Sequence, residues 1–185
     1  MVARKNNSYQ EKAVINERNQ QNNLNTSSSP IDSINKRSVK SDEFESKVID
    51  IKRVTKMYKG GRRMKISVFV AVGNKKGLVG LGIGKSTDVK TAQDKAIARA
   101  KKNLVFVPLR GDTIPHAITK KFGAAKIILK PAAPGTGIIA GSSVRLISEL
   151  AGIKDILSKI LGTRNKIANA YCTIKAFKGL RSHRL

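Results

Sequence analysis

The sequence has no tryptophan, one cysteine and two histidines among 185 residues, and each shortage removes a class of chemistry. A single cysteine, Cys172, excludes an intrachain disulfide framework and any cysteine-rich zinc site, and it suits a reducing compartment. His116 and His183 are too few and too far apart for a histidine-based metal centre, so no metal or other cofactor is expected. Aromatic residues make up only 4% of the chain, too little for base stacking to dominate recognition of single strands. No apolar run approaches the roughly 18 residues of a membrane span. The N-terminus lacks the apolar stretch of a secretory signal. Carboxylates are scarce too: beyond residue 46 they are Asp50, Asp88, Asp94, Asp112, Glu149 and Asp155. Asp88 reads as a helix cap, Asp112 as a turn residue and the others as exposed partners of Lys and Arg. That leaves no acid–base pair for catalysis, and no small-molecule substrate is expected.

What the chain has is positive charge. It carries 37 Lys and Arg against 12 Asp and Glu, a formal charge of +25, with a pI near 10.6. Residues 1–46 hold 7 basic and 6 acidic residues, so 30 basic and 6 acidic remain over 47–185, a net of +24. The charge therefore belongs to the part patterned for folding. Like charge at that density repels itself and calls for a polyanion. With aromatics so few, contacts to phosphate and RNA shape are expected.

Residues 1–46 read as a disordered polar extension, since Asn16–Ser29 is almost entirely Asn, Gln, Ser and Thr and cannot offset its ordering entropy. The first folded unit is expected over 47–109. Residues 47–58 form a strand with Ile49 and Ile51 on one face and a slip near Val54, and Lys59-Gly60-Gly61-Arg62 makes a glycine turn. Met64, Ile66, Val68, Val70 and Val72 alternate along the next strand, with Phe69 and Ala71 opposite. After Gly73–Gly77 a third strand puts Val79, Leu81 and Ile83 on one face and Gly80, Gly82 and Gly84 on the other. A strand face without side chains means that another backbone or a helix comes close. A helix follows, with Val89, Ala92, Ala96, Ile97, Ala100 and Leu104 as its apolar stripe and a basic arc around it. Leu104–Leu109 and Arg110-Gly111-Asp112 read as a domain boundary. The second unit, 110–180, is expected to hold strands at His116–Phe122 and Ala124–Lys130, the loop Pro131–Gly137, and a helix near Ser142–Ala151 ended by Gly152. A short strand or irregular Ile153–Leu161 precedes a last helix at Asn165–Phe177, with Ile167, Ala170, Tyr171, Ile174 and Phe177 inside. A short basic tail, 181–185, ends the chain. The fold class is α+β, and units this small are expected to pack together or lean on a partner.

Two glycine motifs invite nucleotide readings and fail them. Gly84-Lys85-Ser86 precedes a helix, but a phosphate loop needs its first glycine at position 79, which is Val. Gly135–Gly141 spaces its last glycine one residue too far for a dinucleotide fingerprint. The turn at Lys56–Arg63 is different. Lys56, Lys59, Arg62 and Arg63 crowd around Gly60 and Gly61, whose bare backbone N–H groups can approach phosphate. Lys75, Lys76, Lys85, Lys120 and Lys121 complete the expected RNA-contacting set.

The runs IKRVTKMYKGGR (Ile51–Arg62), VGLGIGK (Val79–Lys85) and PAAPGTGIIAGSSVRLISELAG (Pro131–Gly152), with Thr113–His116 and Gly162–Asn165, resemble bacterial-type small-subunit ribosomal protein five over roughly residues 47–180. The resemblance implies an N-terminal β-β-β-α domain similar to a double-stranded RNA-binding fold. It also implies a C-terminal domain with a left-handed β-α-β crossover and a final helix. Its implied partners are small-subunit ribosomal RNA, at the junction of head and body, and ribosomal proteins four and eight. It links Lys59–Arg62 to RNA on the decoding side, near the spectinomycin site. It links Gly135, Thr136, Gly137 and Arg145 to protein four and to translational accuracy. Tyr58 departs from the family, which typically has a small aliphatic residue there. The implied location is the small ribosomal subunit of a bacterium, with a plastid or mitochondrial ribosome as the alternative. A free-standing RNA-binding regulator and a small nucleotide hydrolase using Gly84-Lys85-Ser86 are the rival readings.

Overall fold

The alternating strand Met64–Val72 is the centre of the architecture. The structure, a computed structural model, describes residues 44–181. Strands β1 (Glu45–Tyr58), β2 (Gly61–Gly73) and β3 (Leu78–Ser86) lead into helix α1 (Val89–Lys102) and a short strand β4 (Leu104–Phe106). Then come β5 (Ile118–Phe122), β6 (Ala125–Pro131), β7 (Ile138–Ile139), α2 (Ser142–Ala151), β8 (Ile156–Gly162) and α3 (Lys166–Lys178). Among the described residues these make two four-stranded sheets, β1-β2-β3-β4 and β5-β6-β8-β7. The first is antiparallel throughout. In the second, β7 runs parallel to β8 and α2 joins them, giving the expected β-α-β crossover.

β2 is buried on both faces, which is why its sequence turns wholly apolar at Val68–Val72. Val68, Val70 and Val72 pack with Ala92, Ala96 and Ala100 of α1. Phe69 and Ala71 point the other way, into a core shared with β6, α2 and α3. The glycine face of β3 lies under α1, as its missing side chains require. A Cβ placed on Gly80, Gly82 or Gly84 would sit 2.4, 2.0 or 1.9 Å from the carbonyl oxygens of Ala100, Ala96 and Ala92. Glycine on the strand and alanine every fourth residue on the helix are one device, letting two backbones touch.

The halves are also stitched by hydrogen bonds and charge. The N–H groups of Lys75 and Gly77, in the β2–β3 loop, donate to the carbonyls of Leu150 and Ala151 at 3.0 and 2.9 Å. They thereby satisfy carbonyls that the end of α2 leaves without intrahelical partners. Gly152 closes that helix in the left-handed conformation, φ 88°. Lys47 of β1 binds Glu149 of α2 at 2.8 Å, and Asp50 binds Lys166 of α3 at 3.1 Å.

Several sequence expectations need correction. β1 slips between Val48 and Asp50, not near Val54, so Ile49 is buried while Ile51 is exposed on the other face. The strand starts at Glu45, and Phe44 packs against the cluster that β2 forms with the alanines of α1, so the fold begins before residue 47. The rest of the polar extension lies outside the described residues, as does the tail beyond Arg181. Leu104–Leu109 is no mere boundary. β4 pairs with the free edge of β3, and the N–H of buried Val107 donates to Gly77 at 2.7 Å. The inner face of α3 carries Asn169, Cys172, Thr173 and Ala176 beside Ala170 and Phe177, while Tyr171 is exposed at its margin. Of the two readings of Ile153–Leu161 the strand is the one found, at Ile156–Gly162, where both β6 and β7 pair with it.

Candidate nucleic-acid interface

Strands β1 and β2 run on past the core as a two-stranded arm. Every residue from Ile51 to Lys65 is exposed. The pairing ends at Tyr58 opposite Gly61, leaving Lys59-Gly60 as a two-residue turn. Gly61 takes φ 139°, which L side chains rarely adopt. The chain holds no carboxylate from Ile51 to Thr87, whereas the arm carries Lys52, Arg53, Lys56, Lys59, Arg62, Arg63 and Lys65. A hairpin this far from any core is marginal by itself and gains from a partner.

Register divides those residues between two faces. Lys52, Val54, Lys56 and Tyr58 share a face with Lys65, Arg63 and Gly61; Ile51, Arg53, Thr55 and Met57 share the other with Met64 and Arg62. Lys85 lies opposite Ser67, itself opposite Lys52, so it extends the first, basic face onto β3. Lys52 is held by Asp50 at 3.5 Å. Burial disfavours the Asp50 carboxylate, but Lys166 and Lys52 outweigh that and hold it below the usual range.

The other expected RNA-contacting residues are not gathered there. Lys75 stands in the β2–β3 loop with φ 56° and forms an ion pair with Glu45, and Lys76 is beside it. Lys120 and Lys121 are neighbours on β5 and point to opposite faces of the second sheet. Lys120 runs beside Gly179, and Lys121 lies opposite Lys126. The outer face of that sheet exposes Lys121, Lys126, Lys130 and Lys159 among Ile139, Leu157 and Leu161. Sequence reasoning passed over Lys126, Lys130 and Lys159, although the alternation in AKIILKP carries the signal for the first two. Two lysines directly opposite each other repel unless an anion lies near.

Gly80–Ser86, the segment behind the nucleotide reading, is extended and paired along β2 from Ile66 to Val72, where a phosphate loop would curl free. Among the described residues no three His, Cys, Asp or Glu side chains come together as metal ligands. Cys172 is buried; burial pushes its thiol up, away from a reactive thiolate.

The small-residue loop before α2 is shaped by a turn and a buried acid. Ala133-Pro134-Gly135-Thr136 closes with the Thr136 N–H donating to Ala133 at 3.2 Å, and Gly135 has φ 86°. Proline followed by a positive-φ glycine is the pattern of a type II turn. The Thr136 hydroxyl donates to the same carbonyl at 2.7 Å. The N–H of Gly137 donates to Asp155 at 2.8 Å. Asp155 was expected at the surface; instead it is buried, with this loop as its partner. One turn further on, exposed Arg145 donates to Glu149 at 3.1 Å, and Glu149 also holds Lys47. The Lys47 hydrogen bond, aided by Arg145 and opposed by partial burial, keeps the Glu149 carboxyl below its ordinary range.

The comparisons with known proteins meet this geometry at both halves. Residues 44–108 match the family model for the N-terminal domain of ribosomal protein S5, and residues 120–184 that for its C-terminal domain. A small ribosomal subunit protein uS5 of Thermus thermophilus is 53% identical over 140 residues, covering 76% of this chain and 86% of its own length. A uS5 of Thermotoga neapolitana is 51% identical over 144 residues, covering 78% and 81%. The protein named uS5c of Emiliania huxleyi is 48% identical over 141 residues, covering 76% and 89%. The chain belongs to the ribosomal protein S5 family.

Proposed function

We propose that the chain is a structural, non-catalytic constituent of the small ribosomal subunit that binds small-subunit ribosomal RNA at the head–body junction. One observation carries the reading: an exposed arm with seven cations and no carboxylate projects beyond the packed core. Phosphate oxygens are what such an arm can neutralise. The Lys59-Gly60 turn meets the RNA near the decoding side, with Gly60 and Gly61 allowing close backbone approach. Lys56, Arg62, Arg63 and Lys85 flank that contact, while Lys75, Lys76, Lys120 and Lys121 serve RNA elsewhere on the surface. Ribosomal protein four lies against the Gly135-Thr136-Gly137 loop and Arg145, through which the chain contributes to accuracy, and ribosomal protein eight is the second protein neighbour. The host ribosome is bacterial, with a plastid or mitochondrial one as the alternative. In a lysate, the chain should sediment with small subunits and stay there through a moderate-salt wash. A chain found mainly in the free fraction would favour the regulator, and saturable binding of a nucleoside triphosphate would favour the hydrolase.

A further inference from the structure

Beyond phosphate contacts, we propose that Tyr58 is a stacking platform for one unpaired nucleobase, held at the tip of the β1–β2 arm. The inference rests on the RNA-binding reading and deepens it. Tyr58 is the last side chain of β1 and is 48% exposed. Its cross-strand partner is Gly61, so no side chain stands opposite it. The Lys56 ammonium and the Arg63 guanidinium lie 5.3 and 5.2 Å from the ring centroid. Both cations come from the next pair on the same face, Lys56 opposite Arg63, and beyond the ring the chain holds only Lys59 and Gly60. The two cations lie over the ring, and the exposed remainder of the side chain is left to a partner. A nucleotide suits that arrangement: its base offers a π face to the ring, and its phosphates fall to cations already beside it. Cation–π attraction also fixes the ring before the base arrives, which lowers the ordering cost. An apolar protein surface would suit the opposite face of the arm, where Ile51, Met57 and Met64 are exposed. The face with Tyr58 carries Lys52, Lys56, Arg63 and Lys65, which favours RNA as the occupant.

The test uses the full chain and two RNA hairpins that differ only by one unpaired 2-aminopurine in the stem. Wild type should bind the bulged hairpin more tightly than the paired one, by roughly 5- to 150-fold if one base stacks on one ring, and quench the 2-aminopurine. Tyr58→Phe should keep both effects. Tyr58→Leu should bring bulged RNA down to the paired affinity while the salt dependence stays unchanged, because the phosphate contacts remain. Retained preference and quenching in Tyr58→Leu would overturn the proposal. So would an equal loss on both RNAs, since Tyr58 would then only shape the hairpin. Failure of wild type to bind either hairpin would instead overturn the RNA-binding reading beneath it.

Discussion

Two glycines that look alike in the sequence have opposite meanings in the fold. A Cβ on Gly82 would lie 2.0 Å from the Ala96 carbonyl oxygen, whereas one on Gly60 meets nothing within 4 Å. Gly82→Ala must push α1 off the sheet and should cost about 1–3 kcal/mol or more. Gly60→Ala should leave stability within about 0.5 kcal/mol of wild type while weakening RNA binding. Thermal melts beside RNA titrations separate the two, and equal stability losses would mean that the glycine stripe is not a packing device. The stripe was legible because a period of two placed three glycines on one strand face. The role of Asp155 was not, since nothing local in the sequence brings it to Gly137, 18 residues earlier. Arg145 poses a sharper question. Its bond to Glu149 is an exposed i, i+4 pair worth about 0.2–0.5 kcal/mol, and Lys47 keeps Glu149 in place without it. Arg145→Leu should therefore fold and assemble normally yet change misreading of a near-cognate codon, because the balance of subunit conformations shifts. Unchanged misreading in cells that assemble the variant would reduce Arg145 to its helix pair.

At the scale of elements, the hairpin arm and the sheet it grows from follow different rules. From Val68 to Val72 the first sheet is covered on both faces, and alternation there had assigned each residue to its face. Toward the tip the same two strands continue with nothing packed on them. The cationic turn was visible in the sequence, but the length of the arm was not. Ile51, Val54, Met57 and Met64 look like core residues until the structure shows them exposed. The register slip was misplaced for a related reason: Ile49 and Ile51 are equally apolar, and only packing decides which one turns inward. β4 was missed because three residues after a helix carry too little periodicity to announce a strand. If the arm serves binding and not folding, it can be shortened. Replacing 54–65 by an Asn-Gly turn between Arg53 and Ile66, which are already paired, suits a tight hairpin. The shortened protein should unfold within about 0.5 kcal/mol of wild type. Its RNA affinity should fall at least about tenfold as five cations leave, with a shallower salt dependence. A large loss of stability would show instead that the arm supports the core.

For the whole molecule, what the sequence could not show is that two small sheets share one core. Phe69 and Leu81 from the first sheet lie in the same cluster as Ile127 and Leu129 from the second, together with Ile147 of α2 and Phe177 of α3. Composition said only that neither unit was large enough to be comfortable alone. The contacts that join them are long-range in sequence, so no local pattern reveals them. Charge, by contrast, was legible from composition: the 30 basic residues of 47–185 cannot be balanced by six carboxylates, which leaves a net of +24. The ion pairs show how those few are used, with Glu149 tying α2 to β1 and Asp50 tying β1 to α3. Internal carboxylates thus hold the fold together, and most of the positive charge is left for a partner. The direct test is the affinity of the full chain for isolated small-subunit ribosomal RNA as a function of salt. If the folded region neutralises about 6–10 phosphates, the logarithm of affinity should fall against the logarithm of salt with a slope between roughly −4 and −9. A slope near zero would contradict the account.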